Sequence, residues 1–273
     1  MTYRYVVMGN PIAHSMSPDI HNYFAKICNQ DISYERVLVQ EGQFASLASE
    51  LFASGLCGCN ITVPCKLDAY NFADVLTEYA KAAGAVNTLK RLDDGKILGD
   101  NTDGRGLIAD LDRLGCQIEG KRVLIVGAGG AARGILLPIL DKNPEFLAIV
   151  NRNELKAFAL AKEHPKVKVV LYSSLKPMYD VIINATSASL SGDLPPIADE
   201  VIAKAAFVYD LMYKQDGNTA FVEKARSLGV EEVHDGLGML LGQAALSFEL
   251  WTQKRPDLRQ TYIEFAKRCG RNA

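Results

Sequence analysis

Val123-Leu124-Ile125-Val126-Gly127-Ala128-Gly129-Gly130-Ala131-Ala132-Arg133-Gly134-Ile135-Leu136-Leu137 decides the fold. An apolar run, a glycine turn and a second apolar run read as strand, turn and helix, the context in which G-x-G-x-x-G/A signifies a dinucleotide. Gly127 permits the tight turn, Gly129 lets the backbone approach a pyrophosphate, and the small Ala132 lets helix and strand pack closely. Gly127, Ala128, Gly129, Gly130 and Ala131 are therefore the candidate cradle. The N–H groups and positive dipole end of the following helix would face the phosphates.

The next strand should carry the ribose partner. Phe146-Leu147-Ala148-Ile149-Val150 ends in Asn151-Arg152-Asn153, with Lys156 a turn later. NAD-binding units usually place an Asp or Glu near this point, and a carboxylate there would repel a 2′-phosphate. A guanidinium suits a phosphate and also stacks on adenine. NADP is the cofactor that Asn151, Arg152 and Lys156 favour, against the plainer reading of solvated surface charges. Glu154 is discordant, because turned toward the ribose it would weaken selectivity.

Outward from this unit, the chain has 273 residues, 48% of them hydrophobic, a formal charge of −2 and a pI near 6.1. That is enough for two domains with an ample core. The near-neutral balance gives no reason to expect nucleic acid or an anionic membrane surface. Met1 to Gly9 reads as a short strand rather than a signal peptide, and no segment approaches a membrane span, so a cytoplasmic location is expected. Six cysteines and four histidines show no metal-ligand spacing: Cys57 and Cys59 are one residue apart, and no second pair exists. Reduced thiols and no metal are expected.

Strand and helix patterns alternate, which argues for an α/β architecture with parallel strands. Strands are predicted near 3–8, 33–38, 58–62, 85–91, 97–100, 122–126, 146–150, 167–170, 180–183, 206–210 and 230–234. Helices fit 17–28, 41–53, 66–70, 75–82, 104–114, 130–140, 153–163, 198–203, 218–227, 238–252 and 257–269. About 100 residues precede the nucleotide unit, and an apolar helix with Met239, Leu240, Leu241, Phe248 and Trp251 follows it. A helix this apolar must be buried, which is met if it returns to the N-terminal part. The expected organisation is a discontinuous substrate-binding catalytic domain, 1–103 plus 237–273, around a Rossmann-type domain, 104–236, with a cleft between them.

The N-terminal part places polar residues at several strand ends, where α/β sheets hold ligands. Ser17 either caps the helix opened by Pro18 or faces a ligand together with Ser15, which that cap does not need. Lys66 lies at a helix start, unfavourable for the dipole, so it is either solvated by chance or useful for something anionic. Asp103 either caps the helix after Gly104 or belongs to the same polar group as Asn60, Thr62, Asn87 and Thr88.

The set Asn10-Pro11-Ile12-x-His14-Ser15-x-Ser17-Pro18, Asn60-x-Thr62-x-Pro64-x-Lys66, Gly84-Ala85-Val86-Asn87-Thr88 and Asn101-Thr102-Asp103-Gly104 resembles the shikimate dehydrogenase family. So do Gly127-Ala128-Gly129-Gly130-Ala131, Asn184-Ala185-Thr186, Tyr209-Asp210-x-x-Tyr213 and Asp235-Gly236-x-Gly238-Met239-Leu240-x-x-Gln243. The resemblance implies NADP-linked interconversion of 3-dehydroshikimate and shikimate, toward aromatic amino acids. It makes Lys66 and Asp103 the catalytic pair and assigns Ser15, Ser17, Thr62, Asn87, Tyr213 and Gln243 to the substrate's carboxylate and hydroxyls. It also assigns Thr186 and Gly236 to the cofactor and matches Asn151 and Arg152 to the 2′-phosphate motif.

Two departures stand out: Asn153 where the family often has Thr, and Ser189 where it usually has Gly. A positive φ at Ser189 would be strained. The rival within the fold is a quinate/shikimate dehydrogenase with relaxed substrate or NAD use. A non-catalytic NADP sensor would be expected to lack Lys66 or Asp103, and both are present. The family's assemblies leave monomer and homodimer open.

Overall fold

The computed structural model describes residues 2–190 and 192–271. The N-terminal run builds β1 (Tyr3–Gly9), α1 (Ser17–Ile27), β2 (Ile32–Leu38), α2 (Phe44–Ala53), β3 (Leu56–Ile61), α3 (Lys66–Phe72), β4 (Val75–Leu76), α4 (Glu78–Ala83), β5 (Thr88–Arg91) and β6 (Ile97–Asp100). Its sheet has the order β2-β1-β3-β5-β6-β4. The expected all-parallel pairing fails here, because β5 runs antiparallel to β3 and β6. A turn closed by the Leu92 N–H on the Lys96 carbonyl (2.8 Å) joins β5 to β6 directly. Such a hairpin leaves no crossover, so the strands must be antiparallel.

Val75 and Leu76 form a short strand parallel to β6, where a helix over 75–82 was expected. The helix starts only after Thr77, whose hydroxyl oxygen accepts the Ala80 N–H (3.2 Å) and donates to Asp100 Oδ1 (2.6 Å). An N-cap residue has non-helical backbone, so this cap sets the boundary between strand and helix.

α5 (Asp103–Arg113) leads to the second sheet: β7 (Arg122–Val126), α6 (Gly130–Asp141), β8 (Phe146–Val150), α7 (Glu154–Glu163), β9 (Val167–Val169), β10 (Val181–Asn184), α8 (Asp199–Ala203), β11 (Phe207–Asp210), α9 (Ala220–Ser227) and β12 (Glu232–His234). Its order is β12-β11-β10-β7-β8-β9, and every pairing is parallel. The order reverses between β7 and β10, so a crevice opens beyond their carboxyl ends, at Gly127 and Ala185.

α10 (Leu237–Thr252) and α11 (Leu258–Arg268) complete the chain. Leu237, Leu241 and Phe248 of α10 share one buried cluster with Ile20 and Phe24 of α1 and Phe265 of α11. Each such side chain stabilises the fold by roughly 1.5–3 kcal/mol on burial. Trp251 stacks on Tyr5 at 4.5 Å and donates to the Leu89 carbonyl at 3.0 Å. α10 also crosses α5 at close range: a Cβ on Gly106 would lie 2.5 Å from the Gln243 nitrogen, and one on Gly242 would lie 2.6 Å from the Gly106 carbonyl. This crossing brings the start of α5 and the inner face of α10 together. Among the described residues no helix is long and apolar enough to cross a membrane.

Candidate active site

A cavity of about 350 Å³ lies at the ends of the first sheet's strands, bounded by α3, α5 and α10. It is lined by Lys66 and Asp103 and by all six residues expected to hold a substrate: Ser15, Ser17, Thr62, Asn87, Tyr213 and Gln243. These come from distant parts of the chain, and local geometry explains how each arrives.

The Cys65 N–H bonds to the Thr62 carbonyl (3.0 Å), a tight turn that delivers Lys66 as the first residue of α3. The Lys66 carbonyl then accepts the Val86 N–H (3.0 Å), which sets the neighbouring Asn87 against it. Asp103 is the first residue of α5 and does not cap it; its own N–H bonds to Asn101 Oδ1 (3.1 Å). Its carboxylate is free to take Lys66 Nζ on Oδ2 (2.5 Å) and Asn87 Nδ2 on Oδ1 (2.8 Å). The helix dipole favours that carboxylate and disfavours the Lys66 ammonium, and pairing the two resolves the conflict.

Of the two readings open for Ser17, the cap is not made. Ser17 makes no side-chain cap at α1; the Ser15 hydroxyl accepts the Ser17 N–H (3.3 Å) and donates to Ser17 Oγ (3.2 Å). Arg36, which the sequence did not single out, holds the Ser15 carbonyl through Nη2 (2.5 Å) and Nε (3.0 Å). Gln243 accepts from Asn87 Nδ2 (3.3 Å) and donates to the Leu240 carbonyl (2.9 Å). Burial raises the Tyr213 pKa, with Cys269 and Asp235 adding to the effect, so its hydroxyl remains a donor. His14, Asn60 and Met239 also line this cavity. All three stand in the quoted motifs, though none was assigned a role there.

A second cavity of about 860 Å³ is lined by Gly127, Ala128, Gly129, Gly130, Ala131, Asn151, Arg152 and Thr186, with Tyr172 and Met212. Gly127 adopts φ +111°, and a Cβ there would lie 3.1 Å from the Ala185 carbonyl. A Cβ on Gly129 or Gly130 would meet nothing within 4 Å, so the turn presents bare backbone to the cavity. Asn151 braces the turn by accepting the Ala128 N–H (3.2 Å) and donating to the Asn153 carbonyl (2.8 Å). A dinucleotide fits the volume, the bare turn and the exposed guanidinium of Arg152 at the rim.

Two residues expected at the cofactor are not among those lining the larger cavity. Gly236 lines the smaller cavity, because α10 begins just after it and turns toward the first sheet. Lys156 is exposed on α7 and is not among the residues lining the larger cavity, because the helix carries it past the rim. Tyr172 was missed; it follows β9 and faces Arg152, while burial raises its pKa against that positive charge. Ser189 is not among the non-glycine residues with positive φ (Asn29, Asn143 and Gln253), so the feared strain is absent; it is buried and accepts from Asn184 Nδ2 (3.3 Å). The two cavities adjoin along one segment: Leu211 and Tyr213 line the smaller, and Met212 between them lines the larger.

Residues 7–89 match the shikimate dehydrogenase substrate binding domain, residues 111–192 the shikimate / quinate 5-dehydrogenase family, and residues 236–262 the shikimate 5′-dehydrogenase C-terminal domain. The shikimate dehydrogenase (NADP(+)) of Vibrio atlanticus is 48% identical over 97% of this chain and 96% of its own. An Ael1 enzyme from Pseudomonas putida has a similar crystal structure, with a TM-score of 0.93 and 41% identity over 97% of this chain and 98% of its own. The shikimate 5-dehydrogenase of Thermus thermophilus, solved in complex with NADP(H) and shikimate, superposes with a TM-score of 0.88 at 30% identity, covering 98% of this chain and 100% of its own. With this identity along nearly the whole chain, and the family's motifs gathered around two adjoining cavities, the protein belongs to the shikimate dehydrogenase family.

Proposed function

We propose that this chain catalyses the reversible, NADP-dependent reduction of 3-dehydroshikimate to shikimate, a step toward aromatic amino acids in the cytoplasm. The observation that carries the reading is the Lys66–Asp103 pair, Nζ to Oδ2 at 2.5 Å, inside a small polar cavity that adjoins the glycine-turn cavity. The name of the Vibrio atlanticus relative and the ligands of the Thermus thermophilus neighbour support the same substrate and cofactor. Residues 1–103 with 237–273 form the substrate-binding unit and 104–236 the cofactor-binding unit, acting as a monomer or homodimer.

NADPH, when bound at the glycine turn, supplies the hydride. Lys66, as an ammonium, stabilises the oxygen as it gains charge and donates the proton that completes the hydroxyl. In the oxidation direction the neutral amine takes that proton back. Asp103 keeps Nζ aimed at the reacting oxygen and accepts from a neighbouring substrate hydroxyl. Ser15, Ser17, Thr62, Asn87, Tyr213 and Gln243 hold the remaining hydroxyls and the carboxylate. In the larger cavity, Gly127 to Ala131, Asn151 and Thr186 hold the cofactor, with Arg152 and Lys156 drawn to its 2′-phosphate, and Gly236, on the lining of the adjoining smaller cavity, meets the nicotinamide end.

Initial rates of shikimate oxidation with NADP and with NAD, repeated with quinate, test this reading. Turnover of shikimate with NADP, well above every other combination, is the expected result. Comparable rates with quinate or NAD would place the chain among dual-specificity quinate/shikimate enzymes. No turnover with shikimate and NADP would overturn the assignment.

A further inference from the structure

The Lys66–Asp103 pair is the visible end of a longer, one-directional series of hydrogen bonds. Two backbone groups fix its direction. The Thr102 N–H can only donate, so the Asn87 atom it meets at 2.9 Å is Oδ1, and Nδ2 must face Asp103. The Asn87 carbonyl can only accept, so the Asn60 atom at 3.3 Å is Nδ2, and Oδ1 must face the Tyr34 hydroxyl at 2.7 Å. Between the two amides, the Thr88 hydroxyl accepts from Asn60 Nδ2 (3.2 Å) and donates to Asn87 Oδ1 (2.8 Å).

Donors therefore run from Tyr34 to Asn60, Thr88, Asn87 and finally Asp103, whose other oxygen takes Lys66. Aligned chains of this kind polarise one another, and in a buried setting each member depends on the next. Tyr34 lies at the head of the chain and is not among the residues lining the cavity. Its ring is held by a coplanar stack on His21 at 4.3 Å and 4°, and burial pushes the His21 pKa down to about 3, so the stacked imidazole is neutral.

We propose that Tyr34 is a positioning residue for the reaction, its hydroxyl orienting Asn60 and, through Thr88 and Asn87, the Asp103 carboxylate that holds Lys66. This rests on the reading of Lys66 and Asp103 as the catalytic pair. It predicts that polar atoms with no access to the substrate govern kcat.

Tyr34→Phe keeps the ring and its stack and deletes the hydroxyl, which bonds Asn60 and also meets Ser17 of the cavity lining. The expected result with shikimate and NADP is a fall in kcat of about tenfold, the rate equivalent of one lost buried hydrogen bond, with KM for NADP unchanged. Thr88→Val should give a similar fall and Thr88→Ser should restore the rate. The double variant Tyr34→Phe/Thr88→Val should lose little more than either single variant, because both break one chain. Wild-type kcat in Tyr34→Phe, a double loss equal to the product of the single losses, or no difference between Thr88→Ser and Thr88→Val would each overturn the proposal. Absence of turnover in the unaltered enzyme would instead overturn the function assigned above, so the two failures are distinguishable.

Discussion

In the smaller cavity the Asn87 amide meets four side chains, Thr88, Thr102, Asp103 and Gln243, whereas in the larger one Arg152 makes no hydrogen bond or ion pair among the described residues. The first site is organised before any ligand arrives: β3, β5, α3, α5 and α10 each contribute a group bonded to a group from another element. The second is largely backbone and small residues, and the guanidinium of Arg152 acquires a charged partner only from a ligand. Preorganised polar groups act on the transition state, because they need not rearrange as charge develops. Uncommitted rim charges act on affinity and on the choice between related ligands. Substitutions in the first site should therefore reduce kcat, and those in the second should raise KM.

The largest effect expected is at Lys66. Lys66→Ala should lower kcat by about 10²–10⁴-fold, the usual worth of a positioned general acid. Thermal stability should change little, because a partly exposed ion pair contributes only about 0.2–1 kcal/mol. A variant that kept its kcat and lost only substrate affinity would erase the distinction between the sites. Gly127→Ala should come next. Its φ of +111° is hostile to a side chain, and the Ala185 carbonyl would lie 3.1 Å from the new Cβ. Stability should fall by about 1–3 kcal/mol and KM for NADP should rise, while kcat at saturating NADP is retained. Thermal melts with and without NADP check both parts.

The two sites also differed in how readily the sequence disclosed them. A glycine turn is a local signal: strand, turn and helix are consecutive, so β7, Gly127 to Ala131 and α6 appear in one short stretch. The smaller site is assembled by contacts between residues far apart in the chain, and its members were identified through the family's motifs rather than by periodicity. What escaped was orientation. Ser17 and Asp103 each had a cap as one of two readings, yet each is the first residue of its helix, its N–H taken by Ser15 or Asn101. Tyr34 and Arg36 lie on β2 with no motif around them, and only the paths of β3 and the loop before α1 show what they hold. Gly236 lines the smaller cavity because its motif spans the point where the chain leaves one sheet for the other. The two-residue strand β4 is too short to show alternation.

Arg152→Gln sharpens the comparison on the cofactor side. With the guanidinium removed, KM for NADP should rise about tenfold, as expected for losing one hydrogen bond to a charged group, while KM for NAD and kcat stay near their starting values. Equal losses with both cofactors would mean that Arg152 stacks on the adenine and does not read the 2′-phosphate. Tyr172, which faces Arg152 across the rim, would then be the next position to alter.

The smallest effect expected lies away from both cavities and asks whether the second sheet's stability can be changed without touching its ligand site. Arg122 and Asp180 stand at the start of β7 and just before β10, at the opposite end of those strands from the glycine turn. Arg122 donates to Asp180 through Nη2 (2.6 Å), Nε (3.0 Å) and its backbone N–H (2.9 Å), and these bonds hold the carboxyl at about 2, below its ordinary 3.8. A depressed carboxyl pKa contributes stability above the unfolded value, and that stability is lost as pH falls through the folded one, here between about pH 4 and pH 2. Asp180→Asn should therefore melt about 1–3 °C lower at pH 7, as expected for a partly exposed pair worth up to about 1 kcal/mol, and should match the unaltered protein near pH 2. Both KM values should remain unchanged. A deficit that persisted undiminished at pH 2 would mean that the hydrogen bonds, and not the ionised carboxyl, tie these two strands together.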